Sequence, residues 1–180
     1  WAGIPEYERA AQLVEKTLCN PDGFWKPFGV PLCADVSHEP EARIYRASSL
    51  FWHQVIGEGL LAYGFREQAA ELVGRLMRAA IQNLRLEGCF RQHTDTMSGQ
   101  GWGEINAISG LAPFGLFLET LGVQFYSHQR LMIQGFNPFP WPITVKYRGT
   151  KIVREKDLTT ISFADGQSIE IDDPAPRLIS

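Results

Sequence analysis

The sequence predicts an α+β protein, helical hairpins followed by a small antiparallel β-sheet. As far as residue 122 the apolar residues recur at the i, i+3, i+4, i+7 spacing of amphipathic helices, and beyond it they alternate with a period of two. Glycines stand where the helical stripes run out, at Gly64, Gly88 and Gly122. The expected organisation is a helical part over 1–122 and an antiparallel β-meander over 123–180.

Residues 5–18 carry Tyr7, Ala10, Ala11, Val14 and Leu18 on one helical stripe, with Pro5 in the first turn. Residues 19–48 are too punctuated by proline and glycine for regular structure, as in Asn20-Pro21-Asp22-Gly23, and their aromatics argue for an ordered loop. Ser48-Ser49 caps a helix over 50–63 that is apolar on several faces and is expected to be almost wholly buried. The stripe returns over 65–86 through Ala69, Leu72, Val73, Leu76, Met77, Ala80, Ile81 and Leu84, so these two helices form an αα-hairpin. A fourth helix is expected over 111–121, where Pro113 fits only near the start, with 104–110 as an irregular lead-in. In the tail, Ile143, Val145 and Tyr147 alternate with Thr144, Lys146 and Arg148, and Asp165-Gly166 reads as a hairpin turn. The proline-rich run 137–142 is the bend leading into it.

Composition narrows the function classes. With 180 residues and 44% hydrophobic side chains the chain can build a real core. A net charge of −3, with no run of lysines or arginines, lacks the footprint of a nucleic-acid binder. No apolar run approaches the roughly eighteen residues of a membrane span. The three cysteines, Cys19, Cys33 and Cys89, match neither a metal knuckle nor a disulfide framework and read as reduced thiols in a cytoplasmic protein. The opening Trp-Ala-Gly has no signal-peptide features and reads as something other than a native start, so the expectation is a piece of a longer chain, with a stand-alone product as the alternative.

The segment 89–103 is the most informative, and it reads as a polar, glycine-punctuated loop between helices. Arg91, Gln92, His93, Asp95 and Trp102 combine donors, acceptors and a flat apolar face, the mixture that holds hydroxyl groups and stacks on a pyranose ring. Gly99, Gly101 and Gly103 allow tight turns around a bulky ligand. Among the tryptophans, Trp52 is expected in the core, and Trp25 and Trp102 as stacking platforms. Arg46 is a candidate for substrate hydroxyls, for helix carbonyls, or for pairing with Glu39 or Glu41. Cys89, His93 and Asp95 mix soft and hard donors on one short segment, so neither a metal nor any other cofactor is expected.

Three stretches carry a family resemblance. The run Phe24-Trp25-Lys26-Pro27-Phe28-Gly29-Val30-Pro31 is similar to an aromatic-Trp-x-Pro-aromatic-Gly-aliphatic-Pro loop at an active-site mouth, and Tyr45-Arg46 stands where a Trp-Arg-Gly precedes the next inner helix. Phe90-Arg91-Gln92-His93-Thr94-Asp95-Thr96-Met97-Ser98-Gly99 resembles Phe-Arg-Glu-Asn-Tyr-Asn/Asp-Pro-x-Thr-Gly. The β-tail, from Pro140 to Gly149 and again from Phe163 to Gly166, is similar to that of bacterial relatives. In this order they resemble the C-terminal third of the six-hairpin (α/α)6 glycoside hydrolases, the clan of trehalase-like, mannosylglycerate-hydrolase-like and processing-α-glucosidase-like enzymes. The resemblance implies part of an (α/α)6 toroid and inverting hydrolysis of α-linked glucosides or similar oligosaccharides. It places Trp25, Tyr45, Arg46, Arg91, His93 and Trp102 around the substrate and the general base at Gln92.

Two departures qualify what it implies. Gln92 is an amide where the pattern has the glutamate base, and an amide cannot accept a proton at neutral pH. The general acid, an aspartate, would lie upstream of Trp1, so the isolated chain is expected to be inactive. Glu104 is the candidate substitute base, against its reading as an acidic residue at a helix entrance, while Asp95 is expected to order its own turn. The alternative function is a non-catalytic carbohydrate-binding or self-associating structural remnant. Its partners would be an oligosaccharide or glycoside, and the remaining helices of a parent chain or a homo-oligomer.

Overall fold

The computed structural model describes residues 3–34, 43–107, 113–127 and 130–180. They form two compact units, Trp1–Leu116 and Phe117–Ser180, and the α+β class is the expected one. In the first unit, helix α1 (Tyr7–Leu13) starts two residues after Pro5 and passes directly into a π-helical stretch, Val14–Leu18. The wider π turn tilts Val14 and Leu18 toward a cluster of Trp25, Val30, Leu60, Ala69 and Leu72.

Strand β1 (Ala47–Ser48) leads into helix α2 (Leu50–Ala62). Ser49 occupies the N-cap position, but its hydroxyl makes no capping bond; instead its carbonyl receives the His53 backbone N–H. Only His53, Gly57 and Leu60 of α2 are buried, whereas Phe51 and Trp52 are 67% and 53% exposed, which corrects the expected full burial. Apolar content on several faces fixes a helix without saying which faces find a cover.

Tyr63, Gly64 and Phe65 turn the chain into helix α3 (Arg66–Glu87), whose stripe through Ala69, Leu72, Val73 and Leu76 is buried as its spacing requires. Gly88 closes α3 in the left-handed conformation, φ 69°. Gly57 lets Leu116 approach α2, since a Cβ there would sit 2.5 Å from both Leu116 methyls. Among the described residues the helices make this one αα-hairpin with α1 packed beside it; the expected helix over 111–121 is α4 (Phe114–Leu121), and 108–112 lie outside the described residues.

The segment read as a loop is a β-hairpin. Strand β2 (Arg91–Asp95) pairs with β1 on one side and β3 (Gly101–Ile105) on the other, all antiparallel. The irregular lead-in expected from residue 104 therefore begins only after Ile105.

The second unit holds two antiparallel sheets where one meander was expected. Strands β4 (Val123–Phe125), β5 (Leu131–Ile133) and β10 (Arg177–Ile179) form one in the order β10-β5-β4; strands β6 (Ile143–Tyr147), β7 (Thr150–Arg154), β8 (Thr159–Ser162) and β9 (Ser168–Ile171) form the other. The division falls at the 137–142 bend, whose three prolines remove the N–H groups a continuing strand would need. Asn137 donates there to the carbonyls of Trp141 and Arg154 at 2.9 and 3.0 Å. The fully buried Arg154 donates in turn to the carbonyls of Gly122, Gln134 and Gly135. Phe163 and Gln167 close the β8–β9 turn, with Gly166 at φ 88° as the sequence requires.

Candidate functional site

Helix α3 builds the β2–β3 hairpin against its C-terminal half. Asn83, 3% exposed, accepts the Gly101 N–H at 2.8 Å and donates to the Ala79 carbonyl at 3.0 Å and the Thr94 hydroxyl at 3.4 Å. Gly101 has to be glycine, because a Cβ would lie 2.3 Å from Arg91 Cγ and 2.7 Å from Asn83 Oδ1. Between the Arg91–Ile105 and His93–Trp102 pairs, β3 has one residue more than β2, with Gly103 at φ 83°. This is a β-bulge opened by a left-handed glycine. Gln92 lies opposite it and accepts the Glu104 N–H at 3.2 Å through Oε1.

Asp95 shapes the turn of the hairpin. It is buried, and its Oδ1 accepts the Met97 and Ser98 N–H groups, each at 2.9 Å, and the Ser98 hydroxyl at 3.1 Å. Its Oδ2 faces Arg46 Nε at 3.4 Å, and the Arg46 carbonyl accepts both the Thr96 N–H and the Thr96 hydroxyl. Arg46 thus pairs with Asp95; Glu39 and Glu41 lie outside the described residues.

His93 and Trp102 face each other directly across the hairpin, ring centroids 4.6 Å apart at 35°, and the Arg43 guanidinium lies over the Trp102 ring at 5.1 Å. His93 Nδ1 and Trp102 Nε1 are both shielded from solvent and have no hydrogen-bond partner. Burial holds the His93 imidazole below its ordinary value and so in the neutral form. Two orphaned ring nitrogens side by side are costly, on the order of 1–3 kcal/mol each, and such groups call for an explanation.

Of the residues singled out from the sequence, Arg46, Gln92, His93, Trp102 and Glu104 gather on or beside this hairpin, and Tyr45, half exposed, immediately precedes Arg46. Arg91 is on the hairpin but turned back onto α3, where Glu87 Oε2 accepts from both its Nε and Nη2 at 2.5 Å. Glu104 is exposed on β3, which replaces its expected place at a helix entrance.

Trp25 does not join the group. It is 6% exposed, donates from Nε1 to Glu71 at 3.0 Å and lies under the Arg75 guanidinium at 4.9 Å. Arg75 and Asn83 are eight residues apart on α3, about 12 Å along the axis, so Trp25 and Trp102 are not one platform. Two sequence expectations are thereby reversed: Trp25 is core and Trp52 is exposed. A lone tryptophan in a proline-broken loop gives no local sign of what covers it.

Three groups escaped the sequence reading. Arg43, Asn83 and His53 have no motif around them; His53 and Asn83 could have been suspected only as polar residues in otherwise apolar helical stripes. His53, 1% exposed, accepts the Val30 N–H at Nε2, 2.7 Å, and donates from Nδ1 to the Ser49 carbonyl, 2.6 Å. Apart from the hairpin, the first unit has a cleft of about 510 Å³ lined by Leu13, Leu18, Phe24, Val30, Trp52 and Ile56 among others.

No protein-family model, curated protein or solved structure matches this chain. Among the described residues no three His, Cys, Asp or Glu side chains group as metal ligands, and no helix is long and apolar enough to cross a membrane. The hairpin brings together an aromatic ring, two ring nitrogens without a partner among the described residues, and the guanidinium groups of Arg43 and Arg46. Gln92 is neutral and occupied by a backbone N–H, which leaves Glu104 as the exposed carboxylate beside it.

Proposed function

We propose that the β2–β3 hairpin is a saccharide-binding element and that the chain is the C-terminal segment of an inverting, six-hairpin (α/α)6-type glycoside hydrolase acting on α-linked glucosides or similar oligosaccharides. The His93–Trp102 pair carries this reading. Its indole offers a stacking face beside Arg43 and Arg46, and its orphaned Nδ1 and Nε1, shielded in the free chain, gain partners from ring hydroxyls once a ligand parts the two rings. The α2–α3 hairpin supports the likeness to one corner of such a toroid. The exposed Phe51 and Trp52 support a further covering surface, either more helices of a parent chain or a second copy.

A second reading, a non-catalytic carbohydrate-binding remnant, is favoured by Gln92. Its carboxamide accepts the Glu104 N–H at the bulge and, being an amide, cannot take a proton at neutral pH. Both readings leave the isolated chain without turnover, so turnover by a longer parent chain separates the two. The isolated chain is expected to bind maltose or trehalose weakly and to leave both unhydrolysed. Hydrolysis abolished by Glu104→Gln and indifferent to Gln92→Ala would make Glu104 the base and overturn the assignment of Gln92. Absence of binding in an NMR screen of neutral disaccharides would remove the saccharide reading altogether.

A further inference from the structure

His53 clamps a loop to a helix. Its two nitrogens bridge the Ser49 carbonyl, one turn earlier on its own helix, and the Val30 N–H, in the loop 24–32. Both roles are fixed by chemistry: a carbonyl can only accept, so Nδ1 carries the proton, and the Val30 N–H can only donate, so Nε2 is bare. The approach is tight. Gly29 has φ 125°, and a Cβ there would sit 2.7 Å from Nε2 and 3.2 Å from Leu76. The same loop supplies Phe24, Val30, Pro31 and Leu32 to one wall of the 510 Å³ cleft, while Trp52 and Ile56 of α2 supply another.

We propose that His53 is an acid-released latch: protonation at Nε2 expels the Val30 N–H, frees the loop 26–32 and opens the apolar cleft it walls. A proton on Nε2 would place two donors 2.7 Å apart and leave the Val30 N–H without an acceptor. Among the described residues no carboxylate bonds to the imidazole. The charged side chains on the packed elements are engaged elsewhere: Glu71 with Arg75 and Trp25, Arg75 with the Trp25 and Lys26 carbonyls, and Arg78 with the Pro27 carbonyl. Lys26 binds the Pro21 and Asp22 carbonyls, and Glu58 on α2 binds Gln54. Burial accordingly pushes the imidazole down to about 4, against a smaller opposing effect of the Ser49 bond. The opened loop would expose His53 to water and return it to its ordinary value of about 6.5. The latch does not depend on what His93 and Trp102 bind.

Linkage sets the size of the effect. With those two values, loop opening becomes about 20-fold more favourable between pH 7 and pH 5 and about 100-fold by pH 4. Amide exchange in the intact chain reads this directly. The Val30 amide, corrected for intrinsic exchange, is expected to lose protection by those factors and to stay less protected throughout than the Val73 amide in the core of α3, whose exchange requires global unfolding and carries the same linkage. His53→Gln keeps an acceptor within reach of Val30 and cannot titrate, so it is expected to abolish the acid dependence of Val30 protection. The wild-type ring resonances of His53 give a readout that needs no variant, with Nδ1 protonated and a titration near pH 4. The latch is overturned if Val30 is as protected as Val73 at every pH and so opens only with the whole unit, if Val30 is insensitive to pH, if His53→Gln keeps the wild-type acid dependence, or if the His53 ring titrates at its ordinary value.

Discussion

Two of the histidines and two of the tryptophans of the first unit are set in opposite ways. His53 and Trp25 have every ring nitrogen bonded, to Ser49, Val30 and Glu71, and both are nearly inaccessible. His93 and Trp102 are only partly buried, stack on each other, and leave Nδ1 and Nε1 unpaired. The same residue types therefore serve two ends. Fully satisfied polar groups hold the loop 24–32 against α2 and α3; the unsatisfied ones lie on the hairpin proposed to bind a saccharide.

The comparison can be broken most forcefully at its satisfied end. His53→Ala leaves the Val30 N–H buried without an acceptor and a cavity beside Gly29, and it is expected to cost about 3–5 kcal/mol in urea unfolding. Gly29→Ala combines a left-handed backbone with a 2.7 Å clash and should cost a similar amount, whereas Gly64→Ala, at φ 83° with open space around it, is expected to cost about 1–2 kcal/mol. Equal effects of the two glycine changes would show that the loop is not clamped.

Acid provides the next test. His53 is held near 4, below its unfolded value of about 6.5, so the unfolded chain binds more protons between these pH values. Stability is expected to be flat above pH 6.5 and to fall by up to about 3 kcal/mol as pH drops to 4. Glu71 contributes below that window. Burial would raise its carboxyl, but hydrogen bonds from Arg75 and Trp25 outweigh it and the net shift is downward, so its share is lost as pH falls below the ordinary carboxylate range. Stability constant from pH 7 to pH 4.5 would contradict the buried neutral histidine.

Smaller effects sharpen the contrast between the indoles. Trp25→Phe removes a made hydrogen bond and is expected to cost about 1–2 kcal/mol beyond the lost volume; Trp102→Phe removes an orphaned N–H, and that gain offsets its lost volume to within about 1 kcal/mol. A larger loss for Trp102→Phe than for Trp25→Phe would reverse the assignment. Glu104→Gln, at an exposed strand position, should change stability by less than about 0.5 kcal/mol.

The helices were legible because α3 carries an unbroken stripe from Ala69 to Leu76 and ends at a glycine that adopts the left-handed conformation its position demands. The hairpin was hidden by the same glycines that suggested a loop. Gly99, Gly101 and Gly103 are there for the ring of Phe28, for Asn83 and for the bulge at Gln92, contacts set by distant segments. The site residues clustered as the sequence suggested where they are strand neighbours, as His93 and Trp102 are. Trp25 was misassigned because its cover comes from Glu71 and Arg75, roughly fifty positions away in the sequence, and Arg43 was invisible for the same reason.

The most direct test of the contrast is the pair of indole N–H resonances during a titration of the chain with maltose or trehalose. Trp102 Nε1–H is expected to shift saturably as a ligand hydroxyl supplies its missing acceptor, while Trp25 Nε1–H, already bonded to Glu71, stays in place. Shifts of equal size at both indoles, or none at Trp102 up to the solubility limit of the sugar, would contradict the assignment of the hairpin as the binding element.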